Sequence, residues 1–294
     1  MRLTNDIVML GLSLLLAGVV QAQMTARELV QKMDDNQLKT TDSSFNLIHL
    51  TTCKYGTKEG KLKCVEKPRI KVLESAQINS GRNNKDSKSI AIIMEPASER
   101  GIGMLTYTYD ASDKNNETWL YLSALGKVKR IASGSDDEET EPTSLFGSEI
   151  STEDQETGKL DDYTYRVLQR GEFKGRPVAV IESVPTPKRL SHTRYGKVRT
   201  WVDTERFISL KMQMFDKRGN AIKQVSVAQV EKINGIWLAR NMTFKNLVSR
   251  RLTNMKIKAI TFGLDIEKGF LTQRALTDQA FRQRHLQILR DQAQ

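Results

Sequence analysis

Leu210-Lys211-Met212-Gln213-Met214, in the middle of the run from Phe207 to Phe215, sets three apolar side chains at alternate positions with polar ones between them. A period of two places Leu210, Met212 and Met214 on one side of an extended strand and Lys211 and Gln213 on the other, as in an antiparallel strand with one buried face. Neighbouring stretches read the same way: Val198 to Val202, Ala221 to Val230, Ile236 to Asn246 and Met255 to Ile266 are rich in strand-forming residues. Turn signals separate them, namely Asp203, the stretch Asp216-Lys217-Arg218-Gly219-Asn220, and Asn234-Gly235. Successive strands joined by tight turns predict a meander, a curled sheet or an open barrel.

Earlier in the chain the strands are shorter. Ser89 to Met94, Gly103 to Tyr109, Thr118 to Leu122 and Lys127 to Ala132 are aliphatic and aromatic segments, Tyr163, Tyr165 and Val167 alternate with polar positions, and Val178 to Ile181 is another run. Phe45 to Cys53 and Cys64 to Ile78 read as a hairpin whose tip holds Gly56 and Gly60 among lysines. Thr25-Ala26-Arg27-Glu28 has the form of a capping box, so a short helix carrying Leu29, Val30 and Met33 on one side is expected after it. Leu276, Ala280, Leu286 and Leu289 predict a polar helix at the C-terminus. With no internal repeat and no long linker, residues 23–294 are expected to form one β domain.

Residues 1–22 read as a secretory signal peptide. Arg2 supplies a weak positive start, and Ile7 to Val20 is an apolar run of about 14 residues, short of the roughly 20 that a membrane span needs. Val20-Gln21-Ala22 presents small residues to a signal peptidase, which places cleavage after Ala22 and the mature protein in the periplasm. Export changes the meaning of the formal net charge of +11: it points away from nucleic acid and toward anionic lipid headgroups, hence peripheral membrane contact, or an acidic partner. In an oxidising compartment the two cysteines, Cys53 and Cys64, read as a disulfide closing the hairpin tip.

Catalytic constellations are missing from the sequence. His49, His192 and His285 are the three histidines, and none is paired at metal-ligand spacing. No serine occupies a nucleophile elbow, and Gly56-Thr57-Lys58-Glu59-Gly60-Lys61 lacks the spacing and closing hydroxyl of a phosphate loop. Neither an enzyme nor a cofactor or metal is implied. Methionine and the aromatics are more informative, because methionine adapts to acyl chains of variable shape. Met104, Trp119, Tyr121, Trp201, Met212, Met214, Trp237 and Met242 lie in strand-like segments, where they either fill a β core or line an apolar cavity. The basic group Lys127, Lys129 and Arg130 either meets lipid phosphates or an acidic partner, or forms a solvated strand face. The acidic stretch from Gly134 to Pro142 reads as a solvated loop, and Ser183 to Lys197 as a basic one.

Trp119-Leu120-Tyr121-Leu122-Ser123-Ala124-Leu125-Gly126-Lys127-Val128-Lys129-Arg130-Ile131 resembles a segment of the outer-membrane lipoprotein-sorting proteins related to LolA, with Ser123 where that family has proline. Leu145-Phe146-Gly147-Ser148-Glu149-Ile150-Ser151-Thr152-Glu153-Asp154 resembles a second motif of theirs, with Glu149 for aspartate. Asn234-Gly235-Ile236-Trp237-Leu238-Ala239-Arg240 and Phe270-Leu271-Thr272-Gln273-Arg274-Ala275-Leu276 resemble two more, in the same order. The resemblance implies a mainly β, half-open antiparallel barrel, lidded by short helices, whose apolar cavity carries acyl chains of lipids or lipoproteins without chemistry. Relatives accompanying exporters of the resistance-nodulation-division type make such an exporter a second partner to consider, with the chain as its docking or sensor module.

Overall fold

The computed structural model describes residues 23–38, 42–81, 84–111, 114, 116–131, 144–155 and 159–293. The expected signal peptide and the acidic stretch from Gly134 to Pro142 lie outside these residues. After helix α1 (Ala26–Leu38) come β1 (Ser43–Lys58), β2 (Lys61–Cys64), β3 (Arg69–Ser80), β4 (Asp86–Glu95), β5 (Gly103–Thr108), β6 (Glu117–Leu122) and β7 (Lys127–Ile131). A segment with the single helical turn α2 (Thr152–Gln155) leads to β8 (Tyr163–Phe173), β9 (Arg176–Pro185), α3 (Pro187–Ser191) and β10 (Tyr195–Asp203). Then follow β11 (Ile208–Asp216), β12 (Ala221–Ile233), β13 (Ile236–Asn246), β14 (Arg251–Phe262), α4 (Gln273–Thr277) and α5 (Gln279–Gln292).

All the strands join one 14-stranded antiparallel sheet in the order β7-β6-β5-β4-β3-β1-β14-β13-β12-β11-β10-β9-β8, with β2 added beside the tip of β1. Each strand lies next to its chain neighbour, and β14 returns to β1, so the meander would close into a ring if β7 met β8. It does not, and among the described residues those two strands are the edges of the sheet. The predicted curled, open sheet is therefore what the chain builds. Edge strands invite pairing with another chain unless blunted by charge; the alternation of Lys127, Lys129 and Arg130 along β7 does that.

The two faces of the sheet bury different cores. On one, Phe45 faces Ala76 across β1 and β3, and Ile90, Ile92 and Leu105 continue that row through β4 and β5. Phe270, Leu271, Leu276, Leu286 and Leu289 from the C-terminal segment cover it. The terminal helix is thus docked rather than merely polar. Its Arg282 donates to the carbonyls of Ala275 and Leu276 at 3.0 and 2.7 Å, and Arg290 donates to both oxygens of Glu74 at 2.7 and 2.8 Å. On the other face, Leu50, Leu73, Ile93 and Met104 share one cluster with Tyr195, Met214, Val225 and Phe244. β5 and β10 stand eight places apart in the sheet, about 38 Å on a flat surface at the usual strand spacing. Only strong curling lets such strands bury a common core, so this second face is the concave one.

The helix cap reads as expected: the Thr25 backbone N–H and hydroxyl donate to Glu28 Oε2 at 2.7 and 2.9 Å, and Leu29 is fully buried. The expected hairpin is present in two parts. β1 pairs with β3 along Ser43 to Thr52 and with β2 along Tyr55 to Lys58, while Val65 to Pro68 breaks the partner strand. Cys53 and Cys64 are bonded across this junction with Cα atoms 5.8 Å apart. The basic stretch Ser183 to Lys197 is not a plain loop: Thr186 accepts from Arg189 N–H and Pro187 starts α3. Replacing both cysteines by serine is expected to cost about 3 kcal/mol, the entropy a short closed loop removes from the unfolded chain, measured as a shift in the urea midpoint. An unchanged midpoint would show the bridge to be thermodynamically idle.

Candidate functional site

In an antiparallel meander the turns alternate between two rims. The first rim carries the turns at 174–175, 204–207 and 234–235, and the second carries those at 59–60, 123–126, 217–220 and 247–250. Different pieces of chain close the concave face near each rim. At the first, α1 packs Ala26 and Leu29 onto Ala179, Ile181 and Val202, with Tyr165, Val167 and Phe207 around them. Asn36 Nδ2 donates to the Trp237 carbonyl at 3.2 Å, which ties α1 to β13. Residues 144–155 plug the second rim.

The plug is held by its own sequence. Phe146 and Gly147 both take positive φ, 52° and 69°, a tight turn that turns the Phe146 ring inward. Leu145, Phe146 and Ile150 are its apolar side, packed into the concave cluster. Polar anchors fix it on several strands. Lys71 Nζ donates to the Phe146 carbonyl at 2.7 Å, and Glu149 N–H donates to Thr253 Oγ1 at 2.8 Å. Arg251 pairs with Glu149 at 3.1 Å, and Arg194 with Glu153 at 3.1 Å.

Asp154 is the deepest anchor: it accepts from Lys223 Nζ at 2.5 Å and from the Tyr195 hydroxyl at 2.7 Å. Lys223 and Asp154 are only 5% and 1% exposed at their side chains. Burial pushes the Lys223 ammonium down from the ordinary lysine value, against the Asp154 charge that holds it up. Burial, then the Asp154 charge, pushes the Tyr195 phenol well above its usual range, so it stays a proton donor.

Between α1 and the plug the concave face remains apolar and incompletely covered. Met212 faces Val225 across β11 and β12, and Met242 faces Val227 and Met255 across β12, β13 and β14. Ile48, Ala91, Leu120, Val198, Met212, Met242 and Met255 are each only half-buried against the cluster beneath. The result is a trough with a soft, thioether-rich middle and polar anchors confined to one end. Among the described residues no group of three or more metal-ligating side chains is gathered.

The sequence candidates divide between the two faces. Met104, Met212, Met214 and Met242 come together on the concave face, where Met104 and Met214 are buried floor and Met212 and Met242 are accessible. Trp119 and Tyr121 lie on the opposite face under the C-terminal helices, because the β5–β6 register sets Trp119 against Leu105 and gives Met104 to Leu120. Trp201 faces Lys211 and Val180 rather than the methionines, and its ring is capped by the Lys211 ammonium at 4.3 Å. Trp237 sits beneath Arg206 at 4.5 Å, at the first rim. On β7, Lys127 and Lys129 register with Leu122 and Leu120, on the concave side of the edge, whereas Arg130 registers with Trp119 and pairs with Glu117 at 2.7 Å.

Composition alone passed over the anchors Lys71, Asp154, Tyr195, Lys223 and Thr253. One signal was available: Lys223 shares its parity with Val225 and Val227, a lysine pointing inward on an otherwise apolar strand face. Replacing Lys223 by Met is expected to cost about 3–5 kcal/mol, since it strands the Asp154 carboxylate in the interior. Adding Asp154→Leu should cost less than the sum of the two single changes. Strict additivity in urea unfolding would contradict the pairing.

The fold has solved counterparts. A DUF1329 family protein from Desulfovibrio piger superposes with a TM-score of 0.72 at 22% identity, over 85% of this chain and 97% of that one. A domain classed with outer membrane lipoprotein-sorting proteins, from Vibrio parahaemolyticus, gives 0.70 at 20% identity over 84% and 97%. A LolA superfamily protein from Nitrosomonas europaea gives 0.58 at 18% identity over 85% and 98%. At such identities the likeness concerns the fold. No curated protein matches the sequence. A family model described as "Uncharacterized protein" matches residues 85–278, well over half of the chain, and the protein therefore belongs to that family, DUF1329, built on the LolA-type open sheet.

Proposed function

We propose that this chain is a periplasmic carrier that shelters an acyl chain of a lipid or lipoprotein in the concave trough and performs no chemistry. The observation that carries the reading is the set of half-buried apolar side chains Met212, Met242, Met255, Ile48 and Leu120 on the concave face, between the end packed by α1 and the end filled by residues 144–155. Flexible thioethers accept methylene chains of different length and saturation, and each CH₂ withdrawn from water contributes about 0.8 kcal/mol. Eight methylenes in the trough would thus supply about 6 kcal/mol before ordering costs. The Vibrio parahaemolyticus domain of the same fold is classed with lipoprotein-sorting proteins, which agrees with a transfer role toward the outer membrane.

On this reading Lys127 and Lys129, at the concave side of the free edge, meet the headgroup or the acidic end of the cargo as it enters between β7 and β8. The test is displacement of a fluorescent fatty acid by palmitate. Purified protein is expected to bind one equivalent, and Met212→Asp with Met242→Asp to weaken binding at least about tenfold, or 1.4 kcal/mol. Ile288→Asp, on the exposed side of α5, should leave it unchanged. Folded protein that takes up no acyl probe, or takes it up equally after the double change, would refute the carrier reading.

A further inference from the structure

Most of the large exposed hydrophobic side chains gather at one rim. Val248 (76% exposed), Leu125 (65%) and Val65 (61%) stand in turns of the second rim, and Leu62, Ile70 and Leu190 stand in or beside its other connections, while Leu168, Val184 and Ile288 lie on β8, β9 and α5. None of the large exposed hydrophobics among the described residues lies in a turn of the first rim. The two most prominent groups are fastened together. Tyr55 N–H donates to the Arg250 carbonyl at 2.9 Å, and the Cys53–Cys64 bond fixes the base of the β1–β2 tip. Val248, and β2 with Val65 after it, therefore stand side by side on a braced platform.

The charge around them is mainly positive. Residues 54–69 hold six lysines and arginines against two glutamates, of which Glu66 is engaged by Arg251 at 3.2 Å and Glu59 by Lys63 at 3.8 Å. Lys217 and Arg218 occupy the next turn, Arg250 the turn of Val248, and Lys188 and Arg189 flank Leu190 on α3. The apolar side chains stand singly on separate turns, without the contiguous packed centre that a protein interface requires. A bilayer makes no such demand: it accepts isolated apolar tips among acyl chains while lysines and arginines meet its phosphates.

We propose that the second rim docks on a membrane surface bearing anionic phospholipid, with Leu62, Val65 and Val248 entering the headgroup region and the surrounding lysines and arginines on the phosphates. This surface lies outside the trough, and its binding does not depend on what the trough holds. It places the plug end of the curled sheet, with residues 144–155, against the bilayer.

Co-sedimentation with vesicles tests it. The protein is expected to pellet with mixed phosphatidylglycerol and phosphatidylcholine vesicles, to stay in solution with phosphatidylcholine alone, and to be released by raised salt. Leu62→Asp with Val248→Asp, or Lys63→Glu with Lys67→Glu, should each lower partitioning about tenfold or more. All four positions are exposed, so thermal unfolding should be unaltered. Met212→Asp with Met242→Asp should leave vesicle binding intact, which separates this surface from the acyl trough. Failure of the wild-type protein to bind anionic vesicles, or binding that ignores the rim variants, would overturn the proposal and leave the rim to a protein partner.

Discussion

Pairing of β1 with β14, from Ser44 against Phe262 to Lys54 against Arg251, joins the first strand of the sheet to the last. Without it the chain would hold two separate meanders, β1 to β7 and β8 to β14, each an open ribbon with one apolar face to hide. With it the ribbons become one curled surface, and a single interior has to be filled from both sides. Twist accumulated over so many antiparallel neighbours drives the curl. Residues 144–155 and α1 then become necessary, because a curled sheet of this span leaves its ends open.

The two ends are closed by different physics. At the first rim α1 offers aliphatic packing, with Leu29 on Ala179, Ile181 and Val202. At the second rim the plug combines three apolar side chains with buried charge, the Lys223–Asp154 pair and the Tyr195 hydroxyl. Buried ion pairs contribute little net stability against an apolar substitute, but they penalise any arrangement that separates them. Such a plug has one seated position. The methionine-rich middle of the trough has no comparable polar demand, which is why it can remain partly uncovered without stranding a hydrogen-bonding group.

Much of this was legible in the residues. Alternation in Leu210 to Met214 marked β11, the turn at Asn234-Gly235 parted β12 from β13, and β13 starts and ends where the pattern placed it, at Ile236 and Asn246. The disulfide and the capped first helix followed from Cys53, Cys64, Thr25 and Glu28. What failed to show was register. Trp119 and Met104 read as members of one cavity set, yet a one-place offset between β5 and β6 sends them to opposite faces. β14 begins earlier than its composition indicates, because the polar residues Arg251, Thr253 and Asn254 are paired with β1, and Arg251 and Thr253 also with the plug, rather than with solvent. Helix α5 looked polar because its Arg282 and His285 are buried through the Ala275 and Leu276 carbonyls and Glu267, partners that no local pattern reveals.

If the trough is a lipid site, the protein should carry its cargo through purification. Native mass spectrometry of the protein purified from its native host, followed by organic extraction of the same sample, tests this most directly. A stoichiometric adduct that yields an acylated species on extraction is the predicted result. A clean mass for the folded polypeptide, unchanged after incubation with added phospholipid or fatty acid, would contradict it.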